Sequence, residues 1–183
     1  MKKTVLTFGL VSGIIIILYS VAVFLVFGDF SKMAAGELAT VEQLGYLRYI
    51  ILLLTVIFAL RYYKQQHGGH ATFKQLFLAG LYTVLLVAAL VGMMELVYML
   101  INPEFMNQYA ELSTRRMQEQ GASADQIRAH QQQMESYKWM ANPVAMGLFY
   151  FFETAVLGTI MSLATAAIMR SRRPSEPGYQ PAA

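Results

Sequence analysis

The chain has 183 residues, of which 56% are hydrophobic and only 14% charged, with a formal net charge of +3 and no cysteine. A composition this apolar argues against a soluble domain and for an integral membrane protein. The missing cysteine excludes disulfides, thiolate metal sites and cysteine nucleophiles.

The apolar residues are segregated into four long blocks, which predict spans at about 4–27, 44–62, 73–101 and 143–169. Each approaches or exceeds the ~20 residues a helix needs to cross ~30 Å of hydrocarbon. No block shows the alternation of a membrane barrel, so backbone satisfaction within lipid requires helices. The first block follows Lys2 and Lys3. It is longer than the roughly 7–15 residues of a signal-peptide core, which predicts a retained signal anchor. Gly9 and Gly13 form a GxxxG pair in it, and Ser20 continues their face.

Small residues mark a packing stripe on every span, as expected where no hydrophobic effect draws helices together. Span two carries Gly45, Arg48, Thr55 and Ala59 on one stripe, and span three carries Gly80, Ala88, Gly92 and Glu95. Span four carries Ala155, Gly158, Ser162 and Ala166. The segment 103–141 between spans three and four reads as a helical hairpin. Asn102 and Pro103 are expected to open its first helix and Gly121 to end it, while Ser123 and Gln126 form a capping box for the second. Phe105, Tyr109 and Leu112 make one apolar stripe, and Ile127, Met134 and Ala141 another, so the hairpin is expected to rest on the membrane surface or on itself. Asn142 and Pro143 then open span four, and the Pro-rich tail 174–183 is expected to be disordered. The predicted fold is therefore all-α: an integral membrane four-helix bundle with an extracytoplasmic hairpin between spans three and four.

Orientation follows from charge. Lys2, Lys3, Arg61, Lys64, Lys74, Arg170, Arg172 and Arg173 collect on one side, with Glu176 as its only acid. The basic residues of the other side are diluted by eight acids from Asp29 to Glu135. The positive-inside rule then predicts that both termini and the loop between spans two and three are cytoplasmic.

Charged groups inside a span are expensive, and they mark pairing, a cavity or a relay. Arg48 and Glu95 lie at similar expected depth on the small-residue stripes of neighbouring spans. They are expected to form an ion pair, bidentate where the guanidinium geometry allows. Glu153 stands among large residues, Met146, Phe149, Tyr150, Val156 and Leu157. Three readings stay open for it: a neutral hydrogen-bonded acid, a share in the Arg48 and Glu95 cluster, or a proton relay. His67 and His70 sit on a glycine turn without a neighbouring carboxylate, the pattern of a solvated turn more than a metal site. No phosphate loop, nucleophile elbow or HExxH motif occurs, so neither an enzyme nor a cofactor is expected.

The "GGHATFKQLFLAG" turn, the "NPEF" exit of span three, the Gln- and Glu-rich "GASADQI" hairpin and the closing "NP" span resemble the bacterial domain of unknown function 4199 family, over about residues 1–173. The resemblance implies a four-span protein of the bacterial inner membrane and carries no functional residues with it. The expected role is a structural or interaction component whose partners are the lipid bilayer and a second copy or another membrane protein, with no nucleic acid. The rival role is a small transporter or channel using Glu153 and the Arg48/Glu95 pair.

Overall fold

The computed structural model describes residues 1–28 and 32–171. The tail 174–183, with Arg172, Arg173 and Glu176, lies outside the described residues. The described chain is all-helical. Four helices are long and apolar enough to cross a membrane: α1 (Lys2–Phe27), α2 (Leu38–Gln66), α3 (Phe73–Ile101) and α6 (Pro143–Met169). Two shorter helices, α4 (Phe105–Glu119) and α5 (Ala124–Ser136), stand between α3 and α6. The protein is thus an integral membrane helical bundle.

α3 is the hub. It packs against α1, α2 and α6, and its interface with α6 is the most extensive in the molecule. The closeness of that interface has a local cause. A Cβ on Gly92 would stand 2.7 Å from the carbonyl oxygen of Gly147, and one on Gly147 would stand 2.8 Å from that of Gly92. Only two facing glycines let the backbones approach this far. Elsewhere the small residues seat side chains: Gly9 and Gly13 receive Leu86 and Leu90 of α3, and Gly158 receives Val84. The GxxxG pair of α1 is therefore consumed inside the bundle. Below these contacts Val56, Leu60, Leu76, Ala79, Val84 and Val87 are fully buried and form a tightly packed core.

α2 begins at Leu38, not near residue 44. The polar Glu42 and Gln43 hid this extension in the sequence. Leu38 packs with Met33, Ala35 and Leu112 beneath α4, with Phe105 and Tyr109 against the same cluster. Glu42 accepts from Arg116 at 3.0 Å and from the Tyr109 hydroxyl at 3.1 Å. Burial, then the neighbouring Glu42 charge, pushes the Tyr109 phenol up to about 12, so it keeps its proton and stays a donor. The stripe of Phe105, Tyr109 and Leu112 thus docks on the end of α2.

Asn102 does not cap α4. Its amide donates to the Tyr98 carbonyl at 3.1 Å, closing the end of α3, and α4 starts at Phe105 after a turn through Pro103 and Glu104. The Tyr98 carbonyl, one turn behind, also accepts the Asn102 backbone N–H at 2.9 Å, so Asn102 closes α3 twice and its side chain turns away from the amides ahead. Gly121 turns the chain between α4 and α5 with φ +75°. Ser123 accepts from the Gln126 amide at 3.3 Å as the cap of α5. Ser113 and His130 Nε2 meet at 2.9 Å and tie α5 back to α4. α5 buries no residue, and Ala141 falls outside it, in a 3₁₀ turn at Lys138–Ala141. Asn142 then caps α6 by accepting from the Val144 and Ala145 amides. At the opposite end, Lys64 donates to the Met169 carbonyl at 2.8 Å. His67 and His70 each turn Nδ1 to a backbone carbonyl, that of Tyr63 and of Gly68.

Candidate functional site

The intramembrane charges converge. With α2 starting at Leu38, Arg48 lies about 15 Å along its helix, and Glu153 lies about 15 Å from Pro143, at ~1.5 Å per residue. The two side chains meet across α2 and α6. Arg48 Nη2 donates to Glu153 Oε2 at 3.0 Å, and the Tyr49 hydroxyl donates to Glu153 Oε1 at 2.5 Å. Arg48 Nη2 also donates to the Tyr49 oxygen at 2.7 Å. Arg48 Nη1 faces Glu95 Oε1 at 3.6 Å, an ion pair beyond hydrogen-bond distance.

The expected Arg48 and Glu95 ion pair is present without bidentate hydrogen bonding, and Glu153 joins it in a three-residue arrangement. The guanidinium turns one nitrogen to each carboxylate, and Glu153 is the hydrogen-bonded partner. Of the readings open for Glu153, the geometry corresponds to the share in the cluster. The side chains are 17%, 9% and 27% exposed for Arg48, Glu95 and Glu153, so all three charges are largely withdrawn from solvent. Arg48 Nε is buried and has no acceptor among the described residues.

Two aromatic rings complete the setting: Tyr150, already noted beside Glu153 in the sequence, and Tyr49, which was not. The guanidinium carbon lies 4.8 Å from the Tyr49 ring centroid and 4.5 Å from that of Tyr150. Both are cation–π distances, so the guanidinium is attracted to two ring faces as well as to the carboxylates. Tyr49 follows Arg48 directly, and Tyr150 sits one helical turn before Glu153. That spacing was the available signal.

Above the charges opens a cavity of about 610 Å³. All four long helices wall it, through residues such as Ser20, Tyr46, Tyr98 and Phe149, while Met106, Tyr109, Met134 and Trp139 roof it from α4, α5 and the 3₁₀ turn. Arg48, Glu95 and Glu153 line it at the bundle end. A second, apolar groove of about 790 Å³ runs along the outside of α6, lined by Leu148, Phe152, Val156 and Leu157. Trp139, Phe149 and Glu153 line both, so the inner cavity and the lateral groove share one wall. Chemically the site offers a confined polar end, aromatic faces and an apolar exit toward the lipid. The packing residues Gly9, Gly13, Gly92 and Gly158 lie outside it and set the helix spacing that frames it.

Comparison with known proteins adds the family. The family model described as "Protein of unknown function (DUF4199)" matches residues 7–171. Neither the curated proteins nor the solved structures give a match.

Proposed function

The chain belongs to the DUF4199 family, and from that premise we propose that it is a ligand-binding membrane protein whose cavity takes an amphipathic molecule, the polar part at Arg48, Glu95 and Glu153. The observation that carries this reading is the 610 Å³ cavity with largely buried charges in its lining. Ligand cavities of this size are mostly apolar, with a few convergent polar groups that fix orientation. Buried charge is otherwise a burden on a membrane bundle. The lining is built for recognition: tyrosines, carboxylates and one guanidinium, with no serine or threonine hydrogen-bonded to a base among its described residues. The protein is accordingly read as a binding component and not an enzyme. The packed core beneath the charges, with Val56, Leu60 and Val87 at 0% exposure, favours a one-sided site over a continuous channel. In the orientation that the basic residues favour, the termini are cytoplasmic and the cavity faces outward from the inner membrane.

An interaction role is a second reading. It is favoured by α5, which is tied to α4 through His130 and leaves most of its residues exposed, with only Ile127, His130 and Met134 partly buried.

The naturally cysteine-free chain permits a direct test. Single cysteines at Ser20, Gly45 and Met106, which line the cavity, are expected to react with a membrane-impermeant maleimide. Cysteines at the core position Val87 and the lipid-facing Phe58 are expected to stay unmodified. Cavity positions as inert as these two controls would end the ligand-binding reading.

A further inference from the structure

We propose that the ligand is an amphipathic organic cation, with its charged centre among the aromatic faces beside Glu95 and Glu153 and its apolar part in the groove along α6. This rests on the cavity reading and assigns its chemical class.

Charge comes first. Among the described residues the cavity lining carries three carboxylates, Glu42, Glu95 and Glu153, and one cation, Arg48. Glu42 is matched from outside the lining by Arg116 at 3.0 Å. Arg48 alone then faces both remaining carboxylates, so with both ionised the cluster carries one formal negative charge in excess. In a confined low-dielectric site such an excess is felt strongly and selects the sign of what enters. Glu95 is where the excess is available. Its side chain is 9% exposed, it lines the cavity, and its contact to Arg48 at 3.6 Å leaves it without a hydrogen bond among the described residues.

The walls specify what kind of cation. A hard metal ion requires a shell of oxygen ligands. This lining instead presents rings, Tyr46, Tyr98, Tyr137 and Trp139 among them. π faces recognise weakly hydrated organic cations, and the same chemistry is already in use where Arg48 lies over Tyr49 and Tyr150. The groove explains the amphipathic character. Leu148, Phe152 and Val156 are each more than half exposed on the lipid side of Glu153, so a molecule whose charged centre reaches the carboxylate finds an apolar surface for the rest of its length.

The chain contains one tryptophan, Trp139, and it lines both compartments. Trp139 emission of the full chain in lipid nanodiscs is therefore the readout, titrated with tetraphenylphosphonium and with tetraphenylborate, two ions of the same shape and opposite charge. The expected result is a saturable change with the phosphonium and none with the borate. Glu95→Gln and Glu153→Gln are each expected to raise the half-saturation point by about tenfold or more, the effect of losing one desolvated charge partner. Equal saturable responses to both ions would overturn the cation assignment and leave an unselective cavity standing. No saturable response to either would overturn it as well, and the cysteine labelling then decides separately whether the cavity is open. The phosphonium and borate comparison uses the unaltered chain, so it stands even if a Glu→Gln variant fails to fold.

Discussion

At the residue scale, one guanidinium facing two carboxylates at unequal distances gives an unequal coupling. Removing Arg48 leaves both Glu95 and Glu153 without their cation, and breaking a buried pair from one side costs about 3–5 kcal/mol. Arg48→Ala is therefore expected to destabilise the bundle by that order. Glu153→Gln is expected to be milder, because the amide keeps an oxygen for Tyr49. Double-mutant cycles in detergent unfolding separate the two contacts. The coupling between Arg48 and Glu153, at 3.0 Å with a hydrogen bond, is expected to exceed that between Arg48 and Glu95 at 3.6 Å. An equal or larger coupling to Glu95 would show that the Glu153 hydrogen bond is not the stronger contact in the membrane. The sequence pointed to all three charges, because Arg and Glu inside apolar runs stand out. It misordered the partners for a definable reason: placing the start of span two near residue 44 put Arg48 at the wrong depth for Glu153, whereas a start at Leu38 puts both about 15 Å along their helices at ~1.5 Å per residue.

At the element scale, helix spacing is set by glycines, and their contacts rank them. Gly92 and Gly147 face backbone oxygen at 2.7 and 2.8 Å, which cannot move aside without separating α3 from α6. Gly45, on α2, has nothing within 4 Å of an added Cβ. Overpacking at a tight contact costs typically 1–3 kcal/mol, whereas Gly to Ala in an open helical position gains up to about 1 kcal/mol. Gly92→Ala and Gly147→Ala are thus expected to lower the unfolding temperature in detergent, and Gly45→Ala to leave it unchanged or raise it. The reverse ranking would mean that α3 and α6 pack by another face. Gly92 and Gly158 were legible from their stripes. Gly147 was not, because it lies about two turns outside the small-residue run of span four and is explained only by the residue it meets. The same limit applies to Asn102. A sequence shows that an Asn-Pro pair marks a helix boundary, but which of two helix ends takes the side chain depends on the carbonyl it can reach.

At the scale of the whole molecule, an even number of spans places both ends of the bundle's chain on one side, and α4 and α5 on the other. Four apolar blocks were enough to read this architecture, because backbone hydrogen bonding in lipid leaves a long apolar run little choice but a helix. The cavity was not legible, since it is a space between helices and depends on how far the roof stands from the floor. Its sidedness is expected from charge. The end opposite the cavity carries Lys2, Lys3, Arg61, Lys64, Lys74 and Arg170, whereas the cavity end interleaves Arg115, Arg116, Arg128 and Lys138 with Glu104, Glu111, Glu119, Asp125 and Glu135. Basic residues close to span ends are retained on the cytoplasmic side of a bacterial inner membrane. A fluorescent reporter that folds only in the cytoplasm, fused after Arg173, is therefore expected to be bright. Alkaline phosphatase, which is active only outside the cytoplasm, is expected to be active when inserted at Gly121, in the exposed turn between α4 and α5. The opposite pattern would turn the bundle over and place the cavity mouth in the cytoplasm. A ligand would then have to reach Glu95 and Glu153 from inside the cell, and the impermeant maleimide would label Ser20, Gly45 and Met106 only after the membrane is opened.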